Sequence, residues 1–209
     1  MAHAIILGAS GGIGGATARA LAARYDLTLA GRDGAALQSL RADIGGRAVV
    51  CDVRDELETK ALFDEAPACD VLVYAVGAVR TGPLRGLDGD DLRAVVDANL
   101  TGLALTLKHG LPRMNDGGQA FVLGARPELV ERRGFAVYAA AKAGAAALVR
   151  AAAQEARKAH LTMVLPAAVN TPFWDDVGPV PKNAIRPEEV AEAIAGAIGG
   201  DPPEELRVP

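Results

Sequence analysis

The sequence predicts an α/β protein in which a doubly wound, parallel β-sheet lies between two layers of helices. Two features lead to this prediction. Short apolar runs alternate with helix-like segments along residues 1–209, with no linker or low-complexity segment between them. The first apolar run, residues 4–7, leads through a glycine-rich turn into an alanine-rich helical stretch, residues 16–24. A chain of 209 residues has room for one substantial core, so we predict a single domain.

Composition argues against several classes of protein. Hydrophobic residues make up 50% of the chain and aromatic residues 4%, which predicts a core of Ala, Val, Leu and Ile. The net charge of −4 argues against a nucleic-acid partner or a basic membrane-binding face. The two cysteines, Cys51 and Cys69, have neither metal-ligand nor disulfide spacing. We therefore expect no metal site. The sequence shows no signal peptide and no apolar run long enough to span a bilayer, so we expect a cytoplasmic protein.

The turn after the first predicted strand is Gly8-Ala9-Ser10-Gly11-Gly12-Ile13-Gly14. Glycine lets the backbone bend sharply, approach a ligand closely, and place the helix start against the strand. The helix points free N–H groups and the positive end of its dipole at the turn, which suits a pyrophosphate. We therefore predict a nucleotide site, and the alternative is an ordinary strand-to-helix turn. The predicted contacts are Gly8, Ser10, Gly12, Ile13 and Gly14.

The glycine spacing, Gly-x-x-x-Gly-x-Gly, resembles that of the short-chain dehydrogenase/reductase family rather than the usual Gly-x-Gly-x-x-Gly fingerprint. The resemblance covers nearly the whole chain. It implies a Rossmann-type fold with three α/β/α layers, an NAD(P) cofactor, and hydride transfer between the nicotinamide and a carbonyl or alcohol. One departure is Leu7, which stands where the family usually has threonine before its first glycine.

The end of the second predicted strand, residues 27–30, bears on the choice of cofactor. It is followed by Gly31-Arg32-Asp33 and a predicted helix over residues 35–44. An acidic side chain here would accept hydrogen bonds from a ribose diol, whereas the guanidinium of Arg32 suits a 2′-phosphate. We therefore predict NADP rather than NAD. In the alternative, Arg32 is a solvated loop residue and Asp33 caps the helix.

The third and fourth strands are predicted over residues 47–51 and 70–74. The third ends at Asp52-Val53, where the resembled family contacts adenine with a carboxylate and the following backbone N–H. The same carboxylate is suited to cap a helix over residues 55–65. The fourth strand leads to Ala75-Val76-Gly77, where the family usually has Asn-Ala-Gly. The glycine therefore retains the close approach to the cofactor.

One helix or two in tandem are predicted over residues 90–114, with Asp88 as N-cap. Asn99 lies inside this apolar stretch, where an asparagine must find partners or lose about 1–3 kcal/mol. The resemblance implies that Asn99 kinks the helix and holds a water against the catalytic lysine. The alternative is a structural asparagine bonded to a backbone carbonyl. The three histidines are assigned no role.

Tyr138 and Lys142 follow the fifth predicted strand, residues 119–124. At positions i and i+4 of a helix predicted over residues 138–160, the two side chains share one face. A neighbouring ammonium stabilises a phenolate and lowers the pKa of the phenol, which makes Tyr138 a usable general acid and base. Tyr-x-x-x-Lys by itself is usually structural. Its place after the fifth strand, with Asn99 upstream, favours catalysis, and Lys142 would also bind the cofactor ribose.

A serine that the resembled family places just after the fifth strand is missing. The chain has Ala125 there, and its only serines are Ser10 and Ser39. Losing one donor to a developing oxyanion costs a factor of about 10²–10³ in rate, so we expect slow turnover on generic carbonyls. The alternatives are a catalytically weak protein that binds or senses NADP(H), and a structural subunit.

The sixth strand, residues 161–165, precedes a segment that resembles the family's Pro-Gly-x-Val-x-Thr, which closes over the nicotinamide. Val169 and Thr171 are the predicted carboxamide contacts. Residues 166–186, which include Trp174, are long for a plain connection and predict a substrate lid. A last helix opens at Pro187, and residues 206–208 form an edge strand.

The expected partners are a small carbonyl or alcohol and further copies of this chain. Because the lid is mostly apolar, we expect a largely uncharged substrate; Arg126, Arg132 and Arg133 would receive an anion only if they face inward. Small residues at helical spacing after Tyr138 suit close helix packing. By resemblance, this helix and the preceding long one form a subunit interface, so we expect a homodimer or homotetramer.

Overall fold

The computed structural model of the chain describes residues 1–201 and 203–209. Its seven strands are β1 (Ala2–Leu7), β2 (Tyr25–Gly31), β3 (Arg47–Val50), β4 (Cys69–Tyr74), β5 (Met114–Leu123), β6 (Ala159–Pro166) and β7 (Glu205–Val208). They form one parallel sheet in the order β3-β2-β1-β4-β5-β6-β7. The chain builds outward from β1 in one direction and then from β4 in the other. This reversal opens a crevice at the carboxyl ends of β1 and β4, where such sheets bind ligands.

Helices cover both faces of the sheet. They are α1 (Gly12–Leu21), α2 (Gly34–Ile44), α3 (Glu56–Glu65), α4 (Gly89–Val96), α5 (Gly102–Gly110), α6 (Pro127–Val130), α7 (Ala136–Glu155) and α8 (Pro187–Ala197). Apolar side chains of α1, α2 and α8 pack on one face, and those of α3, α5 and α7 on the other. The predicted doubly wound, three-layer fold is confirmed.

Several predicted boundaries are wrong by a few residues. Helix α1 begins at Gly12 because Gly11 is extended and serves as its N-cap. Helix α7 ends at Glu155 rather than at residue 160, because Ala156 leaves the helical conformation. His160 belongs to β6, where it pairs in register with Gln119 of β5.

The stretch predicted as one or two helices over residues 90–114 contains two. Asp88 caps α4 by accepting hydrogen bonds from the backbone N–H groups of Asp90 and Asp91, at 3.0 and 2.8 Å. A π-helical turn, Asp97–Thr101, joins α4 to α5. A 3₁₀ turn, Leu111–Arg113, then ends the helical stretch and leads directly into β5.

Among the described residues, α7 is the one helix that is long and apolar enough to cross a bilayer by length and composition. The side chains along one side of this helix are buried in the protein, at Tyr138, Ala141, Lys142, Ala145 and Val149. They place the predicted tyrosine and lysine in the protein interior.

Candidate active site

The glycine turn lies at the carboxyl end of β1, and sterics require its glycines. Gly8 has φ +82°, and a Cβ there would lie 2.7 Å from the carbonyl carbon of Ala75. A Cβ on Gly14 would lie 2.1 Å from the Gly8 oxygen. Helix α1 begins here after Gly11 without a side-chain cap, and within the described residues no side chain accepts from its first N–H groups. The turn therefore has the shape and the free donors that a pyrophosphate needs.

The segment predicted to be a lid, residues 166–186, lies against the same turn. A Cβ on Gly12 would lie 2.7 Å from Cγ2 of Thr171. Val169 is buried, and its carbonyl oxygen accepts a hydrogen bond from Nε1 of Trp174 at 2.8 Å. The structure thus places Thr171 against the glycine turn and buries Val169, two residues before it. Ser10 is exposed and Ile13 half-buried on the turn itself.

The ends of β2 and β3 place Arg32 and Asp52 in one neighbourhood. Arg32 is exposed, and its charge helps to lower the pKa of Asp52. Ser10 packs against the backbone of Gly31, since a Cβ there would lie 3.0 Å from its Oγ. Asp33 caps α2 by accepting a hydrogen bond from the backbone N–H of Ala36 at 3.0 Å. Arg32 is therefore an exposed cation at the end of β2.

Asp52 does not cap α3, as one of our two interpretations supposed. Asp55 does so, by accepting hydrogen bonds from the backbone N–H groups of Leu57 and Glu58. The Asp52 carboxylate instead accepts from Nε of Arg54 at 2.9 and 3.0 Å, and these hydrogen bonds hold its pKa below the usual range. An adenine at this point would share the carboxylate with Arg54. Val53, the next residue, is buried.

Asn99 lies in the middle of the π-helical turn. Its Nδ2 donates to the carbonyl oxygens of Ala78 at 2.7 Å and Val95 at 2.8 Å, and the second bond replaces a helical backbone contact. The residue is 1% exposed, and its Oδ1 has no hydrogen-bond partner in the described part of the chain. A Cβ on Gly77 would lie 3.1 Å from this oxygen and 3.8 Å from Nζ of Lys142. A buried acceptor without a partner is costly, so the site presents an oxygen ready to bind a donor beside the lysine.

These observations fit a nicotinamide dinucleotide. The glycine cradle suits its pyrophosphate, Arg32 its ribose phosphate, and the segment around Val169 its carboxamide end. Gly77 allows close approach to the backbone next to Lys142 and Asn99.

Tyr138 and Lys142 lie in the crevice, and their exposed fractions are 8% and 7%. Nζ of Lys142 donates to the carbonyl oxygen of Leu123 at 2.8 Å and lies 5.8 Å from the centre of the Tyr138 ring. Burial lowers the pKa of Lys142 to about 8. Burial also raises the pKa of Tyr138, contrary to our expectation that the ammonium would lower it. The Lys142 ammonium donates its hydrogen bond to a carbonyl oxygen and not to the phenol. Its effect on the pKa of Tyr138 is therefore smaller than the effect of desolvating the phenolate.

The buried lysine predicts a pH-dependent stability. Between the folded pKa of about 8 and the ordinary value of 10.5, the unfolded chain binds more protons at Lys142 than the folded chain does. Lys142 therefore adds a contribution to the free energy of unfolding that rises with pH across this window, and Lys142→Met should remove it, which makes the slope of stability against pH more negative. The thiols of Cys51 and Cys69, whose pKa values burial raises, contribute with the opposite sign in both proteins. Urea unfolding of both proteins at pH 7, 9 and 10 measures the effect. The exposed Lys158 gives a control, since Lys158→Met should keep the wild-type slope; identical slopes for wild type and Lys142→Met would contradict the prediction.

Ala125 lies where the resembled family has serine, half-buried against the apolar cluster that contains Tyr138. The neighbouring Arg126 is bonded to the backbone. Its guanidinium donates to the carbonyl oxygens of Leu165, at 3.1 Å, and of Val208. Arg132 lies 4.2 Å from the centre of the Phe135 ring. Arg126 is therefore a structural tie to the ends of β6 and β7 and not a replacement for the missing hydroxyl.

Two features of the site escaped sequence reasoning. The ring centre of Phe173, in the lid, lies 5.6 Å from that of Tyr138. The ring centre of Phe135 lies 6.3 Å from that of Tyr138, and these two rings meet edge to face. Arg80, in the loop after β4, bridges Asp91 of α4 at 3.1 Å and Asp176 of the lid at 3.2 Å. The only signal for Phe173 is its place beside Trp174 in an apolar lid. Nothing in the spacing pairs Arg80 with a carboxylate 96 residues away.

The described residues contain no group of three or more His, Cys, Asp or Glu side chains that could hold a metal ion. The free thiols of Cys51 and Cys69 are buried, and burial raises their pKa values to about 11 and about 12. Such thiols are poor nucleophiles at neutral pH.

Comparisons with known proteins agree with this geometry. Residues 2–180 match the short chain dehydrogenase family. The chain is 38% identical to cis-4-hydroxycyclohexanecarboxylate dehydrogenase of Sinomonas cyclohexanicum, over 92% of this chain and 87% of that protein. It is 40% identical to a short-chain oxidoreductase of Thermus thermophilus, with a TM-score of 0.89 over 96% of this chain and 97% of the other. An alcohol dehydrogenase from the archaeon Thermococcus sibiricus, solved with 5-hydroxy-NADP, is 28% identical, with a TM-score of 0.86 over 99% of this chain and 95% of the other. The chain therefore belongs to the short-chain dehydrogenase/reductase family, whose members are NAD(P)-dependent oxidoreductases.

Proposed function

We propose that the protein is an NADP-dependent oxidoreductase that interconverts a small carbonyl compound and its alcohol, with Tyr138 as general acid and base. One observation carries the proposal. Tyr138 and Lys142 of α7 meet the free Oδ1 of Asn99, which comes from the π-helical turn, at the crevice beside a glycine cradle. The relative named for cis-4-hydroxycyclohexanecarboxylate and the neighbour solved with 5-hydroxy-NADP support the reaction class and the cofactor.

In the reduction direction, the Tyr138 hydroxyl donates its proton to the substrate oxygen. Burial raises the pKa of this phenol, so it holds its proton at neutral pH until a carbonyl oxygen begins to gain charge. The Lys142 ammonium then stabilises the phenolate that remains. The free Oδ1 of Asn99 holds a water molecule next to Nζ of Lys142, and this water carries the proton. The cofactor, when bound, supplies or accepts the hydride.

A panel of aldehydes and ketones tests the proposal. The protein is mixed with NADPH and each carbonyl compound, and loss of nicotinamide absorbance is followed. Tyr138-dependent reduction of at least one compound is the expected result. Binding of NADPH without reduction of any compound would contradict it.

Arg32 underlies the proposed preference for NADPH over NADH. Charge-assisted hydrogen bonds from its guanidinium to the 2′-phosphate should tighten NADPH binding by roughly ten- to a hundredfold. Arg32→Ala should erase this preference and leave NADH binding unchanged, as measured by calorimetry with both cofactors. The control is Arg19→Ala, since Arg19 lies on α1 and pairs with Asp43 on the surface. Equal dissociation constants for the two cofactors in the wild-type protein would contradict the preference for NADPH that is proposed for Arg32.

A second candidate is a protein that binds or senses NADP(H) with little catalysis. Ala125 favours it, because the site lacks the hydroxyl that orients a carbonyl in related enzymes. Tight stoichiometric NADPH binding with negligible turnover would support this alternative, and absence of binding would support a structural subunit.

We also propose self-association as a homodimer or homotetramer. Helix α7 supports it with a row of exposed small side chains at helical spacing, Ala136, Ala140, Ala143 and Ala147.

A further inference from the structure

Arg80 lies in the loop after β4 and joins three parts of the chain. Its Nε donates to a carboxylate oxygen of Asp91 in α4 at 3.1 Å, and its Nη1 donates to a carboxylate oxygen of Asp176 in the lid at 3.2 Å. Nη1 also donates to the carbonyl oxygen of Val79 at 2.8 Å. Because the planar guanidinium presents its N–H groups in fixed directions, these acceptors together hold it in one orientation.

Two of the three groups that Arg80 contacts are fixed to the apolar cluster around Tyr138. Val79 is a buried member of that cluster. Asp91 lies one helical turn before Val95 on α4, and Val95 is fully buried in the same cluster. Arg80 is therefore held from the side of the protein core, and its third contact reaches across to the lid.

Residues 172–184 of the lid have few polar contacts with the rest of the protein. Within the described part of the chain, the hydrogen bonds that join this stretch to residues outside the lid both end at Asp176. One comes from Nη1 of Arg80. The other is a longer bond of 3.4 Å from Oγ1 of Thr81 to the backbone carbonyl oxygen. The attachment of this stretch therefore depends on Asp176 and on apolar packing.

The turn that ends at Asp176 also carries the aromatic ring that packs on Tyr138. Phe173 belongs to this 3₁₀ turn, Pro172–Asp176, and its ring centre lies 5.6 Å from that of Tyr138. A group that holds Asp176 therefore also holds Phe173 against the tyrosine. The side chains of Arg80 and Asp176 are 43% and 61% exposed, so water and salt weaken their ion pair, and it breaks at a small cost in free energy.

From these contacts, we propose that Arg80 is a positioning residue: its ion pair with Asp176 holds the lid over Tyr138, and breaking the pair lets the lid open for substrate and product. The proposal rests on the proposed function and adds to it a residue that acts through the lid and not on the reacting atoms. Because exposed ion pairs are of modest strength, loss of this one should raise the population of the open lid by about two- to fivefold.

Trp174 reports the state of the lid without any need for turnover. It is the single tryptophan of the chain, and its ring centre lies 5.4 Å from that of Phe173. Quenching of its fluorescence by acrylamide measures its exposure to solvent. Trypsin cleavage after Lys182, an exposed lysine of the lid, gives a second measure, because proteases cut a segment when it opens locally.

Arg80→Met and Asp176→Asn should each increase the quenching of Trp174 and raise the rate of cleavage after Lys182 by about two- to fivefold. The double variant should show no further increase, because both changes remove the same ion pair. Sodium chloride should increase both quantities in the wild-type protein and have little effect on the variants. Unchanged quenching and cleavage in both single variants would overturn the proposal, as would fully additive effects in the double variant.

Two matched variants control for the loss of a surface charge. Arg85 is an exposed arginine of the same loop, and Asp175 precedes Asp176 in the lid turn; neither makes an ion pair among the residues that the structure describes. Arg85→Met and Asp175→Asn should leave the quenching and the cleavage rate at their wild-type values. An increase as large as that of Arg80→Met in either control would contradict the role given to the ion pair.

Steady-state kinetics separate positioning from catalysis. With the best carbonyl compound of the panel, Arg80→Met should raise KM by about two- to fivefold and leave kcat unchanged or higher, because it alters the lid and no reacting group. A lower kcat with an unchanged KM would assign Arg80 to the chemistry and overturn the proposal. If the lid measurements change as expected but NADPH reduces no compound, the proposed function fails and the role of Arg80 stands. If reduction depends on Tyr138 but the lid measurements do not change, only the role of Arg80 fails.

Discussion

Tyr138→Phe should lower turnover by a factor of about 10²–10⁴ and leave NADPH binding nearly unchanged, because general acid–base catalysis contributes rate enhancement of this order. The structure adds that the variant should fold normally. The Tyr138 hydroxyl makes no hydrogen bond to the rest of the described chain, and its ring packs between Phe135 and Phe173. Steady-state kinetics on the best carbonyl of the panel and calorimetry with NADPH measure the two effects.

Tyr74 provides the matched control, since it is also a buried tyrosine. Its hydroxyl donates to the carbonyl oxygen of Ala98 at 2.6 Å, and its ring belongs to the apolar core under α5 rather than to the cluster around Tyr138. Tyr74→Phe should cost about 1 kcal/mol of unfolding free energy and change turnover by a few-fold at most. Wild-type activity in Tyr138→Phe would show that Tyr138 and Lys142 form only a structural helix face.

Ala125→Ser should raise the reduction rate by about tenfold or more, since one preorganised donor to a developing oxyanion is worth a factor of about 10²–10³. Position 125 is half-buried and borders the cluster around Tyr138, so a hydroxyl there can face the substrate oxygen. The change should appear in kcat with little change in NADPH affinity. Single-turnover rates with NADPH and a carbonyl substrate measure it.

Two variants test whether the hydroxyl itself is responsible. Ala125→Cys has similar size but a weak donor and should gain little. Gly124→Ser, which also places a hydroxyl next to β6, should lose stability instead, because a Cβ there would lie 2.5 Å from Cε of Met163 and 2.8 Å from Cδ2 of Leu165. If wild type already turns over at the usual pace of enzymes and Ala125→Ser is no faster, another group supplies the missing donor.

Local patterns in the sequence predicted most of the fold because each has a fixed period or a steric cause. Apolar runs alternating with helical segments predicted the doubly wound sheet. The glycine spacing predicted the turn, in which sterics require Gly8 and Gly14 to be glycine. The boundaries were less accurate. Whether β5 begins at Met114 or at residue 119 depends on pairing with β4, a partner far away in the chain.

The sequence by itself determined which residue types meet at the crevice: tyrosine and lysine one helical turn apart, asparagine in the preceding helix, and arginine at the end of β2. Only the tertiary structure decided what each of them contacts. Asp52 is held by Arg54, Arg126 is bonded to the end of β7, and Lys142 donates to a strand carbonyl rather than to Tyr138. Burial then sets the direction of both pKa shifts. The physical reason is distance along the chain: Arg126 and Val208 are separated by 82 residues and Arg80 and Asp176 by 96, and no local pattern encodes such a contact.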